Sequence, residues 1–168
     1  MKTLSAKEIN NRAPYNVIQE SGRIYFTTDY DITYVVSFDE ETNPFYTAYW
    51  FNLTNPENVT SPGDKKIAQT VICIIEEFFR QNPDILLYMC STDDNQQAQR
   101  ARLFLRWFNG AEQQKHYVIR TTEVKGVDDE GKPRTEYIAF IVQRNNPQLN
   151  DIIRFFDAEV AMFNEMKP

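Results

Sequence analysis

Between Tyr15 and Leu53 the chain alternates short aromatic and β-branched runs with polar breaks. The runs are Tyr15 to Gln19, Ile24 to Thr28, Ile32 to Phe38 and Phe45 to Leu53; the breaks are Ser21-Gly22, Asp29 to Asp31 and Asp39 to Pro44. Such runs predict four strands, and connections this short force an antiparallel meander. In the third strand Ile32, Tyr34, Val36 and Phe38 share a face. In the fourth, Phe45, Tyr49 and Phe51 alternate with Tyr46 and Trp50, so both faces carry aromatics. Either helices cover both sides or one aromatic face meets a partner, which makes Tyr46 and Trp50 candidates for a partner surface.

The period then changes. Ser61-Pro62-Gly63-Asp64 reads as a helix start with Ser61 as N-cap, Pro62 at N1 and Asp64 at N3. Ile67, Val71, Ile74, Ile75 and Phe78 follow at core-facing spacing to about Gln81, and Asn82-Pro83 ends the helix. Ile85 to Met89 is a continuous apolar run, as in a strand buried on both faces. Ser91-Thr92-Asp93-Asp94 repeats the capping logic and opens a second helix to about Asn109-Gly110. Apolar residues occupy most of its circumference, Trp107 is expected in the core, and Arg102 and Arg106 share the narrow polar side. A hairpin is expected from His116 to Val124 and Glu136 to Gln143, around an acidic loop, Gly126 to Pro133. Asn146-Pro147 starts a last helix with Leu149, Ile152, Ile153, Phe156, Val160 and Phe163 as its apolar stripe.

The order β-β-β-β-α-β-α-β-β-α predicts an α+β fold with a mainly antiparallel central sheet flanked by helices. At 168 residues the chain suits one domain, residues 1–168, with 1–12 expected as a loosely ordered N-terminal segment. Hydrophobic content of 42% and aromatic content of 14% exclude a disordered chain. The net charge of −6 disfavours a general nucleic-acid or anionic-membrane binder. No apolar run approaches the length of a membrane span. Two cysteines, Cys73 and Cys90, and a start without an apolar leader segment predict a reduced, cytoplasmic protein. Charge is unevenly placed. No Lys or Arg occurs from Ile24 through Asp64, where ten aromatics and seven acidic residues lie, whereas nine of the 18 basic residues fall between Arg100 and Arg144. That bipolarity suits a protein partner or self-association.

The chemistry-bearing residues do not converge, and no catalytic set, metal site or cofactor is expected. Cys90 sits at a strand end before a helix start, which lowers a thiol pKa, but Asp93 and Asp94 follow and oppose a thiolate. His116 is the only histidine, and without an oriented partner it is no general base; a strand-edge or surface position is expected. Asp128-Asp129-Glu130-Gly131 lacks the spaced oxygens of a calcium loop and reads as a hairpin tip. Cys90, Asp93, Asp94, Arg100, Arg102 and Arg106 are the candidates for an anion or ligand site. Against that reading, the arginines have Asp93, Asp94, Glu76 and Glu77 as ion-pair partners.

Two resemblances add to this. Tyr15, Phe26-Thr27-Thr28-Asp29, Tyr34, Phe78-Phe79, Asn82-Pro83, Tyr88, Cys90, Asp93, Arg100, Leu103-Phe104, Arg106-Trp107-Phe108 and Asn146-Pro147 resemble an uncharacterised family of small Bacteroidetes proteins, a domain of unknown function. In that family Asp usually follows the Cys, where this chain has Ser91. The resemblance implies a bacterial or phage origin and no particular activity. The element order is similar to the second half of the GCN5-related N-acetyltransferase fold, with Asp94-Asn95 through Phe108 echoing its strand-to-helix segment. That likeness would imply acyl-CoA chemistry, but the chain departs from it. Ser61 to Ala68 offers one glycine where a pyrophosphate loop needs several, and Phe104 stands where a proton-donating Tyr is needed. The leading expectation is a non-enzymatic binding or regulatory protein acting through protein contacts. An acyltransferase relative and a nucleic-acid accessory protein are the alternatives.

Overall fold

A computed structural model describes residues 1–41, 43–57, 59, 62–91 and 105–165. The class is α+β, with every strand pair of stated register antiparallel. The chain divides into two units, Met1–Glu40 with Tyr49–Asp84, and Glu41–Ala48 with Ile85–Pro168.

The first unit holds α1 (Ala6–Asn10), β1 (Ile18–Glu20), β2 (Arg23–Thr27), β3 (Thr33–Glu41), β4 (Ala48–Thr54) and α2 (Lys65–Gln81), with strands in the order β1-β2-β3-β4. Ser21 and Gly22, at φ 51° and 77°, form the two-residue turn that the right-handed strand twist favours. Asp31, at φ 59°, closes the three-residue turn from β2 to β3. The first strand is shorter than expected because Tyr15 and Val17 bond elsewhere. The Asn10 side chain takes the place of a neighbouring strand for Val17, accepting from its N–H at 2.7 Å and donating to its C=O at 3.1 Å. Residues 1–12 are not loose. Ile9 of α1 is fully buried, and the Ser5 N–H donates to Glu77 of α2 at 3.1 Å.

Helix α2 is capped by Asp64, whose carboxylate accepts the Lys66 N–H at 2.9 Å; Ser61, the expected cap, lies outside the described residues. Val71, Ile74, Ile75 and Phe78 are buried as the periodicity predicts, while Ile67 is half-buried. Phe78 stacks on Phe38 at 5.1 Å between ring centres and meets the edge of Tyr49 at 5.8 Å, so the helix seals the aromatic face of the meander.

The second unit holds β5 (Ile85–Ser91), a helical stretch at 105–108, the single turn α3 (Ala111–Gln114), β6 (Tyr117–Val127), β7 (Pro133–Gln143) and α4 (Leu149–Glu165). Its strands run in the order β5-β7-β6. Ile85 to Tyr88 are buried as the apolar run predicts, although Met89 is exposed. The hairpin strands are longer than expected because the tip needs only Asp129 to Gly131. Gly131 adopts φ 78°, and Asp128 Oδ1 accepts from the N–H groups of Glu130 and Lys132. Phe156 of α4 packs on Phe140 of β7 at 4.4 Å. Phe108, with no exposed surface, packs on Tyr117, whereas Trp107, expected in the core, is half-buried. Asp93, Asp94 and the start of the second expected helix lie outside the described residues.

Candidate functional site

The most unusual surface in the second unit joins the loop before β4 to α4. Phe155 and Phe156 are adjacent on α4, about 100° apart around the helix axis, so they cannot share one face. Phe156 turns inward and Phe155 outward. Phe45 stacks on Phe155 with ring centres 4.7 Å apart, yet the two remain 60% and 37% exposed. Met162, two turns further along the same helix face, is 59% exposed.

Hydrogen bonds fix this pair. Asn43 Oδ1 accepts the Phe45 N–H at 2.8 Å, closing a turn through Pro44, while Asn43 Nδ2 donates to Glu159 Oε1 at 2.8 Å. The Tyr46 hydroxyl donates to the other oxygen, Glu159 Oε2, at 2.8 Å. Burial and the Glu159 hydrogen bond push the Tyr46 phenol pKa well up, so the hydroxyl stays a donor through neutral pH. Among the described residues Glu159 accepts from these two neutral donors at the rim. The result is an exposed aromatic pair on a rigid, acid-edged mount. This loop also explains why β4 starts at Ala48 rather than Phe45.

Of the expected partner-surface residues, Tyr46 therefore belongs to this site. Trp50 does not: it is half-buried in β4 of the other unit. Asn43, Phe45, Phe155 and Glu159 were not singled out by pattern. The usable signals were an Asn-Pro turn before an aromatic and two successive phenylalanines in an amphipathic helix.

The expected anion site falls mostly outside the described residues, which exclude Asp93, Asp94, Arg100 and Arg102. Cys90 lies on β5 opposite Tyr137 of β7, and Arg106 is exposed on the helical stretch. Glu76 and Glu77, expected as partners for these arginines, bind Arg12 and Arg80, and Arg100 and Arg102 lie outside the described residues. His116 is exposed and uses its backbone C=O to accept from the Arg144 N–H at 2.9 Å. Cys73 is a free, half-buried thiol whose pKa burial raises. Among the described residues no group of three or more His, Cys, Asp or Glu could hold a metal ion, and no helix is long and apolar enough to cross a membrane.

A second polar cluster, missed by pattern, lies in the first unit where α2 begins. The Tyr15 hydroxyl donates to Asp64 and accepts from the Asp29 N–H at 3.2 Å, while Lys66 Nζ donates to Asp29 Oδ2 at 2.8 Å. Burial and the Asp64 hydrogen bond push the Tyr15 phenol up to about 12. Every one of these groups has its partner inside the unit, so the cluster acts as a latch between α2 and the β2–β3 turn.

A family model, a family of unknown function (DUF6169), matches residues 63–158, more than half of the chain. The chain belongs to the DUF6169 family. This bears out the expected likeness to an uncharacterised domain family. The DUF6169 match takes in α2 through most of α4, including Phe155; Asn43, Phe45, Tyr46 and Glu159 lie outside it. No curated protein and no solved structure matches the chain.

Proposed function

We propose that this DUF6169 protein is a non-enzymatic binding or regulatory protein that grips a protein partner through the Phe45–Phe155 face. One observation carries the reading: Phe45 and Phe155 stack on each other yet remain 60% and 37% exposed, beside a loop that Asn43 and Tyr46 tie to Glu159 of α4. Exposed apolar side chains gain free energy when a partner covers them, and a face already rigid loses little entropy on binding. Aromatic anchors at the centre of an interface commonly supply most of its binding energy. The acidic rim favours a partner with basic residues around an apolar centre. A reducing bacterial cytoplasm suits a chain whose Cys73 is a free thiol.

The test is a photo-activated cross-linking amino acid placed at Phe45 in the source cell, with the same group at Tyr30, which is 53% exposed in the other unit, as control. The expected result is a discrete adduct with a distinct protein from position 45 and none from position 30. Equal, diffuse labelling from both positions rejects the proposal.

A further inference from the structure

We infer that β6 pairs edge to edge, antiparallel, with β6 of a second copy of this chain, about a two-fold axis through Thr122. Among the described strands β6 is the last in the order β5-β7-β6, and it is eleven residues long. The hydrogen-bond phase of its pairing with β7 decides which backbone groups face outward. At one end of the ladder the Arg144 N–H donates to the His116 C=O at 2.9 Å, and at the other the Asp128 N–H donates to the Lys132 C=O at 2.9 Å. Between them the register is continuous, Tyr117 opposite Gln143 through Val127 opposite Pro133. Bonded pairs alternate along an antiparallel ladder, so the even-numbered residues bond to β7. Ile119, Thr121, Glu123, Lys125 and Val127 then turn their N–H and C=O groups away from it. Two details agree. Pro133, which has no N–H, sits opposite odd-numbered Val127. The Glu123 C=O accepts from Asn164 Nδ2 at 3.3 Å instead of from β7. A carbonyl oxygen has two lone pairs, so that contact leaves Glu123 able to accept from a neighbouring strand as well.

Such an edge is a template for another strand, and the side chains favour a copy of itself. A two-fold axis at Arg120 or Glu123 would set like charges face to face, which destabilises strand pairs. An axis at Thr121 or Thr122 does not, and only Thr122 uses the whole strand. In that register Thr121 meets the copy's Glu123, and Ile119 meets the copy's Lys125. Arg120 meets Val124, Val118 meets Gly126, and Tyr117 stands opposite Val127, which is 70% exposed. Thr122 meets itself in a wide pair, where threonine pairs are favourable. This surface is separate from the Phe45–Phe155 face, so the two proposals stand or fall independently.

Sedimentation velocity from about 1 to about 200 µM tests the inference, since a dimer must grow with concentration. The expected result is a monomer–dimer equilibrium. Thr121→Pro removes only an outward N–H, leaves the β7 ladder whole, and should weaken association at least about tenfold. Independently, Thr122→Cys should form an interchain disulfide on oxidation, because residues of a wide pair lie about 4.5 Å apart at Cα. Thr121→Cys, off the axis, should cross-link far less. A protein that stays monomeric throughout the range overturns the inference. So does a dimer that Thr122→Cys does not cross-link, whether or not Thr121→Pro folds.

Discussion

Glu77 is 1% exposed on α2 and accepts from the Ser5 N–H, from Nε and Nη2 of Arg80 and from Gln81. Burial alone would push its carboxyl up, but the hydrogen bonds from Arg80, Ser5 and Gln81 outweigh it and hold the pKa below the ordinary 4.5. A carboxyl with a depressed folded-state pKa stabilises the fold above its unfolded value and loses that contribution as pH falls through the folded one. Thermal melts should therefore show stability declining below pH 4.5, with a shallower decline in Glu77→Gln. Glu77→Ala should cost about 2–3 kcal/mol in urea unfolding, the scale of hydrogen bonds to a charged acceptor, and should speed tryptic cleavage after Lys7 and Arg12. A cleavage rate like the wild type's would mean that Glu77 does not anchor α1. Tyr15 has the opposite sign. Its phenol is raised from 10.0 to about 12, so its contribution is complete below pH 10 and disappears as pH climbs through 12. Tyr15→Phe should cost about 1–2 kcal/mol at neutral pH and remove that alkaline loss.

At the scale of elements, Asp64 does two tasks, capping α2 and holding the Tyr15 hydroxyl. Asp64→Ala should therefore cost more than the ~1 kcal/mol of an ordinary cap, and a double-mutant cycle with Tyr15→Phe should reveal coupling. Additive losses would show that the two roles are separate. Most elements were legible because local chemistry and tertiary demand agree. Ile74, Ile75 and Phe78 recur at helical spacing, Ser21-Gly22 permits a tight turn, and Ile85 to Tyr88 is apolar without interruption. The late starts of two strands share a cause: side chains replaced backbone partners. Asn10 satisfies Val17, so β1 starts late; Asn43 and Glu159 hold the residues around Phe45, so β4 does too. Neither Glu159, remote in sequence, nor the outward turn of Phe155 leaves a mark in the meander's own pattern. For that reason the candidate face was only half readable, through Tyr46.

At the scale of the molecule, the stretch without Lys or Arg contributes Phe45 and Tyr46 to a face that Glu159 also edges with negative charge. The basic residues concentrated from Arg100 to Arg144 include Arg120 and Lys125 of β6, the strand assigned to self-pairing. The chain thus presents two chemically different surfaces, one acid-rimmed and aromatic, the other a strand edge. Phe45→Ser with Phe155→Ser should lower the melting temperature only slightly, because both rings are already partly in water and their stacking is worth about 0.5–1.5 kcal/mol. The most direct measurement is quantitative affinity capture from the source cell with the wild type and this folded double variant in parallel. The wild type should enrich a discrete partner at a fixed ratio to bait, and the double variant should lose it by at least about tenfold, the equivalent of 1.4 kcal/mol. Equal recovery by both proteins, or no enrichment by either, would contradict the Phe45–Phe155 face as a binding surface.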